Sequence, residues 1–87
     1  MRLDVALHAL RWFKSRTQAT SAIEQGGVRL NGREVRPSHP VRVGDRISRH
    51  EGSRERTFEI LELPPASLRK QDAEKLLKEV GGAKEHP

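Results

Sequence analysis

Ser15-Arg16-Thr17-Gln18-Ala19-Thr20-Ser21-Ala22-Ile23-Glu24-Gln25-Gly26-Gly27-Val28-Arg29-Leu30-Asn31-Gly32 is the stretch on which the fold turns. Ser15 and Gln18 stand three apart, as in a capping box, where a hydroxyl and a side-chain amide satisfy the free backbone amides of a helix start. Ala19, Ala22 and Ile23 then repeat at helical spacing, and Gly26-Gly27 supplies the residue type that ends a helix in a left-handed turn. From Val28 the period drops to two, with Val28 and Leu30 on one side and Arg29 on the other. Asn31-Gly32 follows, the dipeptide most suited to a two-residue hairpin turn. One window thus holds a capped helix, its stop, a strand and a turn.

Working outward, Leu3, Ala6, Leu7 and Leu10 make one apolar stripe and predict a first helix of about three turns. Past the turn, Arg33, Glu34 and Val35 read as a return strand, until Pro37 and Pro40 interrupt pairing. Val41 and Val43 alternate before a turn at Gly44-Asp45 and a strand around Arg46–Ser48. The polar run 50–55 reads as a hairpin loop, and 57–63 as a strand with Phe58 and Ile60 on one face. Pro64-Pro65 marks a boundary. Beyond it Ala73, Leu76, Leu77 and Val80 predict a helix stopped by Gly81-Gly82, with the last five residues frayed. The expected class is α+β: two N-terminal helices packed on a small antiparallel sheet, plus a C-terminal helix. The expected division is a domain over 1–63 and an extension over 64–87.

Composition narrows the chemistry. The sequence has 87 residues, 33% of them hydrophobic, and no cysteine, so disulfides, thiolate zinc sites and thiol nucleophiles are excluded. A chain of this length makes one small core, with no room for a separate catalytic domain. His8, His39, His50 and His86 are dispersed, without the i, i+4 pairing of a metal motif, and neither a nucleophile elbow nor a phosphate loop occurs. No catalytic residue, metal or cofactor is expected. No apolar run approaches the roughly 20 residues of a membrane span, and Asp4, His8 and Arg11 interrupt any signal core, so a whole, cytoplasmic chain is expected.

Charge is segregated. Of 17 basic and 12 acidic side chains, residues 1–49 hold 10 and 4, a net of +6, and residues 50–87 hold 7 and 8, a net of −1. Arg11, Lys14 and Arg16 precede the second helix, where free amides and the positive end of the helix dipole suit a phosphate. Arg2 joins them if the helices pack as an antiparallel pair, and Arg29, Arg33 and Arg36 surround the Asn31-Gly32 turn. Taken singly, each arginine reads equally as a solvated surface charge; the segregation favours a shared anion-binding face. Asp4 reads as a local cap or a partner for a nearby arginine rather than a catalytic acid. Trp12 and Phe13 read as core packing ahead of base stacking. A membrane or protein partner for the first helix is the weaker alternative, its apolar stripe being small.

Arg2-Leu3-Asp4, Ser15-Arg16-Thr17-Gln18-Ala19, Ile23 to Gly32 and Val43-Gly44-Asp45-Arg46-Ile47, in that order, resemble the S-four RNA-binding domain, or alpha-L motif, over about residues 1–48. Arg11-Trp12-Phe13-Lys14-Ser15-Arg16 and Pro65-Ala66-Ser67 are similar to the group formed by heat-shock protein fifteen and the shorter ribosome quality-control factor P. The resemblance implies a non-catalytic protein, monomeric off the ribosome, that binds rRNA and tRNA on a large ribosomal subunit carrying an obstructed nascent chain. It places the RNA contacts on Arg2, Arg11, Lys14, Arg16 and Gln18, with Arg29, Asn31, Gly32 and Arg33 nearby. Val5 and Thr20 stand where relatives often carry a basic residue, and the long basic tail of heat-shock protein fifteen is missing. A protein-interaction adaptor using the C-terminal helix, or a module for another structured RNA, are the alternatives.

Overall fold

A computed structural model describes residues 1–65 and 68–80. Helix α1 spans Leu3–Ala9 and α2 spans Arg16–Glu24. Ser15 caps α2 as its sequence predicts, its Oγ accepting from the Gln18 amide at 3.1 Å. The Gln18 side chain reaches one residue further back than in a regular capping box, accepting from the Lys14 amide at 3.1 Å.

Both helices end in the same hydrogen-bonded turn. Gly26 lies at φ +79, with Gly26 N donating to Ile23 O and Gly27 N to Ala22 O, the two bonds of a Schellman motif. At the end of α1 the left-handed position falls to Arg11, at φ +67, with Arg11 N donating to His8 O and Trp12 N to Leu7 O. This stop shortens α1 to two turns instead of three, and nothing in the residue type Arg announces it.

Strands β1 (Val28–Leu30), β2 (Arg46–Glu51), β3 (Arg54–Ile60) and β4 (Leu77–Glu79) form one antiparallel sheet in the order β1-β2-β3-β4. The Asn31-Gly32 turn forms, with φ +53 and +80, as a type I′ turn requires. Its return strand does not. A single pair, Leu30 with Arg33, is made before the chain leaves, and the long partner of β1 is β2, with Leu30 opposite Ile47. The departing segment has another task. Pro37 O and His39 O accept from the amides of Asp4 and Leu3, and Met1 O accepts from the Val41 amide. The Pro37 and His39 carbonyls satisfy first-turn donors of α1 that no side chain caps.

The polar run expected as a loop over 50–55 is mostly strand: His50 pairs with Glu55 and Glu51 with Arg54, leaving only Gly52-Ser53 as the turn. The expected C-terminal helix is also corrected. Helix α3 covers only Lys70–Ala73, a 3-10 turn covers Glu74–Leu76, and Leu77 opens β4. Leu77 lies opposite Ile60 and Glu79 opposite Phe58, so the free edge of β3 is paired rather than left open. Gly81-Gly82 and the expected frayed end lie outside the described residues.

Leu3, Leu7 and Leu10 of the first helical segment, Ala19 and Ile23 of α2, and Val28, Leu30, Val41, Ile47 and Ile60 of the sheet layer form the core, joined by Ala73 and Leu76. Two helices therefore pack on an antiparallel sheet, the α+β arrangement expected. Trp12 and Phe13 pack against this core without being fully buried.

Candidate nucleic-acid interface

Asp4 organises the N-terminal basic residues. It sits in the first turn of α1, where a carboxylate faces the positive helix end, and it is only 1% exposed. Arg2, immediately before the helix, grips it with both teeth of its guanidinium: Nε to Oδ1 at 3.0 Å and Nη2 to Oδ2 at 2.9 Å. Arg16, the first residue of α2, brings Nε to 3.4 Å from Oδ2, and Thr20 Oγ1 donates to the same oxygen at 3.2 Å. Burial pushes the Asp4 carboxyl up. The hydrogen bonds and charge of Arg2, the Val5 amide and the charge of Arg16 outweigh it and hold the carboxyl below its ordinary value. Both arginines remain about half exposed, at 46% and 52%, so their outer N–H groups face solvent. The starts of both helices thus present two fixed guanidinium groups side by side.

Arg2 also lines a groove with Thr20, Ile23, Glu24, Glu34, Val35 and Arg36, which joins Arg36 to the same surface. Arg29 lies 3.9 Å from Glu34, a loose pair at the margin of this groove. Lys14, Gln18 and Arg33 are exposed, and among the described residues Lys14, Arg33 and Arg36 form no ion pair. Asn31 is committed internally: its Nδ2 donates to Asp45 Oδ1 at 3.1 Å and its Oδ1 accepts from the Arg46 amide at 2.9 Å. Gly32 leaves open space beside it.

Arg11 stands apart. Its Nε donates to Leu68 O at 3.1 Å, and it lines a second groove with Trp12, Arg49, Arg56 and Phe58. Here Arg49 lies 4.4 Å over the Trp12 ring and 5.1 Å from Phe58, while Arg56 lies 5.2 Å over Phe58, and Trp12 meets Phe58 edge-on at 5.4 Å. Arg49 and Arg56 are cross-strand neighbours, a repulsive placement relieved by carboxylates. Arg56 bonds Glu79 at 2.7 Å and Glu51 at 3.0 Å, and Arg49 bonds Glu51 at 2.9 Å. Arg56 and then Arg49 hold the Glu51 carboxyl below its usual value, Arg56 does the same to Glu79, and the two glutamates push the Arg56 guanidinium up. Nothing in the local sequence pattern announces this stack. Arg49 and Arg56 fall just outside the expected loop 50–55 and face each other only once that run pairs as strand.

One surface therefore carries an arginine pair anchored on Asp4 and half open to solvent, and the other carries Arg49 and Arg56, both already paired with glutamates. A small α+β domain with a basic surface at the start of its second helix is a nucleic-acid-binding architecture. The family model of the S4 domain matches residues 1–47, and the chain belongs to this family of RNA-binding domains. It is 33% identical to a heat shock protein 15 homolog of Haemophilus influenzae, over 90% of this chain, and spans 65% of that relative's length, just under two thirds. It is 32% identical to the RQC P-site tRNA stabilizing factor of Bacillus subtilis, covering 84% of this chain and 85% of the relative. A trimeric structure of Vibrio cholerae heat shock protein 15 superposes with a TM-score of 0.84 at 32% identity, covering 92% of this chain and 81% of that one.

Proposed function

We propose that this chain is a non-catalytic protein that binds structured rRNA and tRNA on the large ribosomal subunit when a nascent chain is obstructed there. It contacts RNA through residues 1–63, works in the cytoplasm, and is monomeric when off the ribosome. The observation that carries this reading is the arginine pair anchored on Asp4 at the starts of α1 and α2, with Arg36 lining the same groove as Arg2. Such a surface recognises phosphate position and helix shape, which is how structured RNA is read where its deep groove hides the bases. The likeness over most of both chains to a factor named for stabilising P-site tRNA supports the choice of tRNA and ribosome.

An adaptor acting through an unpartnered C-terminal helix has less support, because Ala73 and Leu76 are turned into the core and Leu77–Glu79 is paired in the sheet. RNA cross-linking with sequencing from native ribosome fractions tests the proposal. Reads are expected to concentrate on large-subunit rRNA and tRNA; reads dominated by messenger or small-subunit RNA would overturn it.

A further inference from the structure

Arginine side chains are long, and holding one still for a ligand costs conformational entropy at the moment of binding. Arg2 and Arg16 escape much of that cost. Their Nε groups, and one Nη of Arg2, are bonded to a carboxylate that is 1% exposed, while about half of each side chain stays open to solvent. The carboxylate is itself held from a third side by Thr20 Oγ1 at 3.2 Å. Asp4 also fixes the spacing between the two helix starts, since Arg2 precedes α1 and Arg16 opens α2.

We infer that Asp4 is a positioning residue for RNA: it sets the guanidinium groups of Arg2 and Arg16 as a preformed two-point receptor for phosphate oxygens. The inference rests on the RNA-binding reading of this surface and adds to it a residue that never touches the ligand. It runs against simple electrostatics. Asp4 places a negative charge within a surface meant for an anion, so on charge alone its removal should tighten binding. If it orders the arginines, its removal weakens binding despite the added positive charge.

Opposite signs make the test direct. Binding of a fluorescently labelled tRNA is measured for the full chain and for Asp4→Asn, with Glu24→Gln as the electrostatic reference. Glu24 lines the same groove and forms no ion pair among the described residues. Glu24→Gln is expected to bind a few-fold tighter. Asp4→Asn is expected to bind about tenfold weaker, the cost of ordering two long side chains on binding.

Because Asp4→Asn disturbs a buried network, Arg2→Lys/Arg16→Lys serves as the charge-preserving variant that leaves Asp4 paired. It too is expected to lose about tenfold, since an ammonium lacks the planar fork. Nitrogen-15 spectra of the RNA-free protein give the second readout: the Arg2 and Arg16 Nε–H signals should be slowed in exchange, and Asp4→Asn should release both. Binding by Asp4→Asn equal to or tighter than wild type, or Nε–H signals exchanging as fast as those of Arg33, would overturn the inference while leaving the RNA reading intact. Failure of wild type to bind any tRNA or rRNA would overturn the RNA reading, and the receptor with it.

Discussion

Asp4 is the only charged side chain buried among the described residues, and folding brings Arg16 and Thr20 to it and fixes the neighbouring Arg2 in a two-point grip. A carboxyl held low in the folded state gives up its proton more readily there than in the unfolded chain. The network therefore contributes its full stability above the unfolded value near pH 4 and loses it as pH falls through the lower, folded value. Urea midpoints are expected to decline below about pH 4, as the Asp4 carboxylate takes up its proton and the network loses its charge. Asp4→Asn should be less stable than wild type at pH 7 and lose less between pH 5 and pH 3. Identical pH profiles for the two proteins would contradict this account. At the same scale, the pairing of Asp4 with an arginine was legible because Arg2 stands two residues away. The convergence of Arg16 and Thr20 was not, because it depends on how α1 and α2 pack.

Elements divide the same way, by how local their causes are. The start of α2, its stop at Gly26 and the turn at Asn31-Gly32 follow from residues within a few positions of one another, and the sequence announces all three. The segment after Pro65 does not. Ala73, Leu76, Leu77 and Val80 fit a helical stripe, but an open edge on β3 offers Leu77–Glu79 a ladder that an isolated short helix cannot match. Leu76 is the pivot: its side chain is in the core and its carbonyl accepts from the Leu61 amide at 2.8 Å. Leu76→Ala is expected to cost about 2 kcal/mol, toward the low end for a large-to-small core change because the site lies near the surface. Hydrogen exchange would show the loss as weakened protection at the Val80 amide, which bonds Thr57 O, and at Leu61. Unchanged protection there would mean that β4 does not depend on this anchor. The Arg49 and Arg56 stack escaped the sequence for a related reason, since its counter-charges Glu51 and Glu79 arrive from two different strands.

At the scale of the whole molecule, charge segregation becomes a division of surfaces. Arg49 of β2 and Arg56 of β3 are occupied by glutamates, whereas Arg2 and Arg16 share one carboxylate between two positive charges. RNA affinity should therefore fall steeply with salt, and Arg16→Ala should reduce the slope of log affinity against log salt by about 0.7 to 0.9, one neutralised phosphate. Arg54→Ala, in the half of the chain with net charge −1, should leave that slope unchanged. Equal changes from the two variants would show that net charge alone governs binding. The path of the chain through 37–41 has a consequence for the order in which the protein is made. The first-turn amides of α1 find their acceptors on Pro37 and His39, so α1 waits for a segment translated about thirty residues after it. Seven residues do not hold a helix by themselves. During synthesis α1 therefore lacks two of its capping acceptors until the chain has passed α2 and the Asn31-Gly32 turn, and the start of α1 that carries Asp4 depends on residues far along the domain.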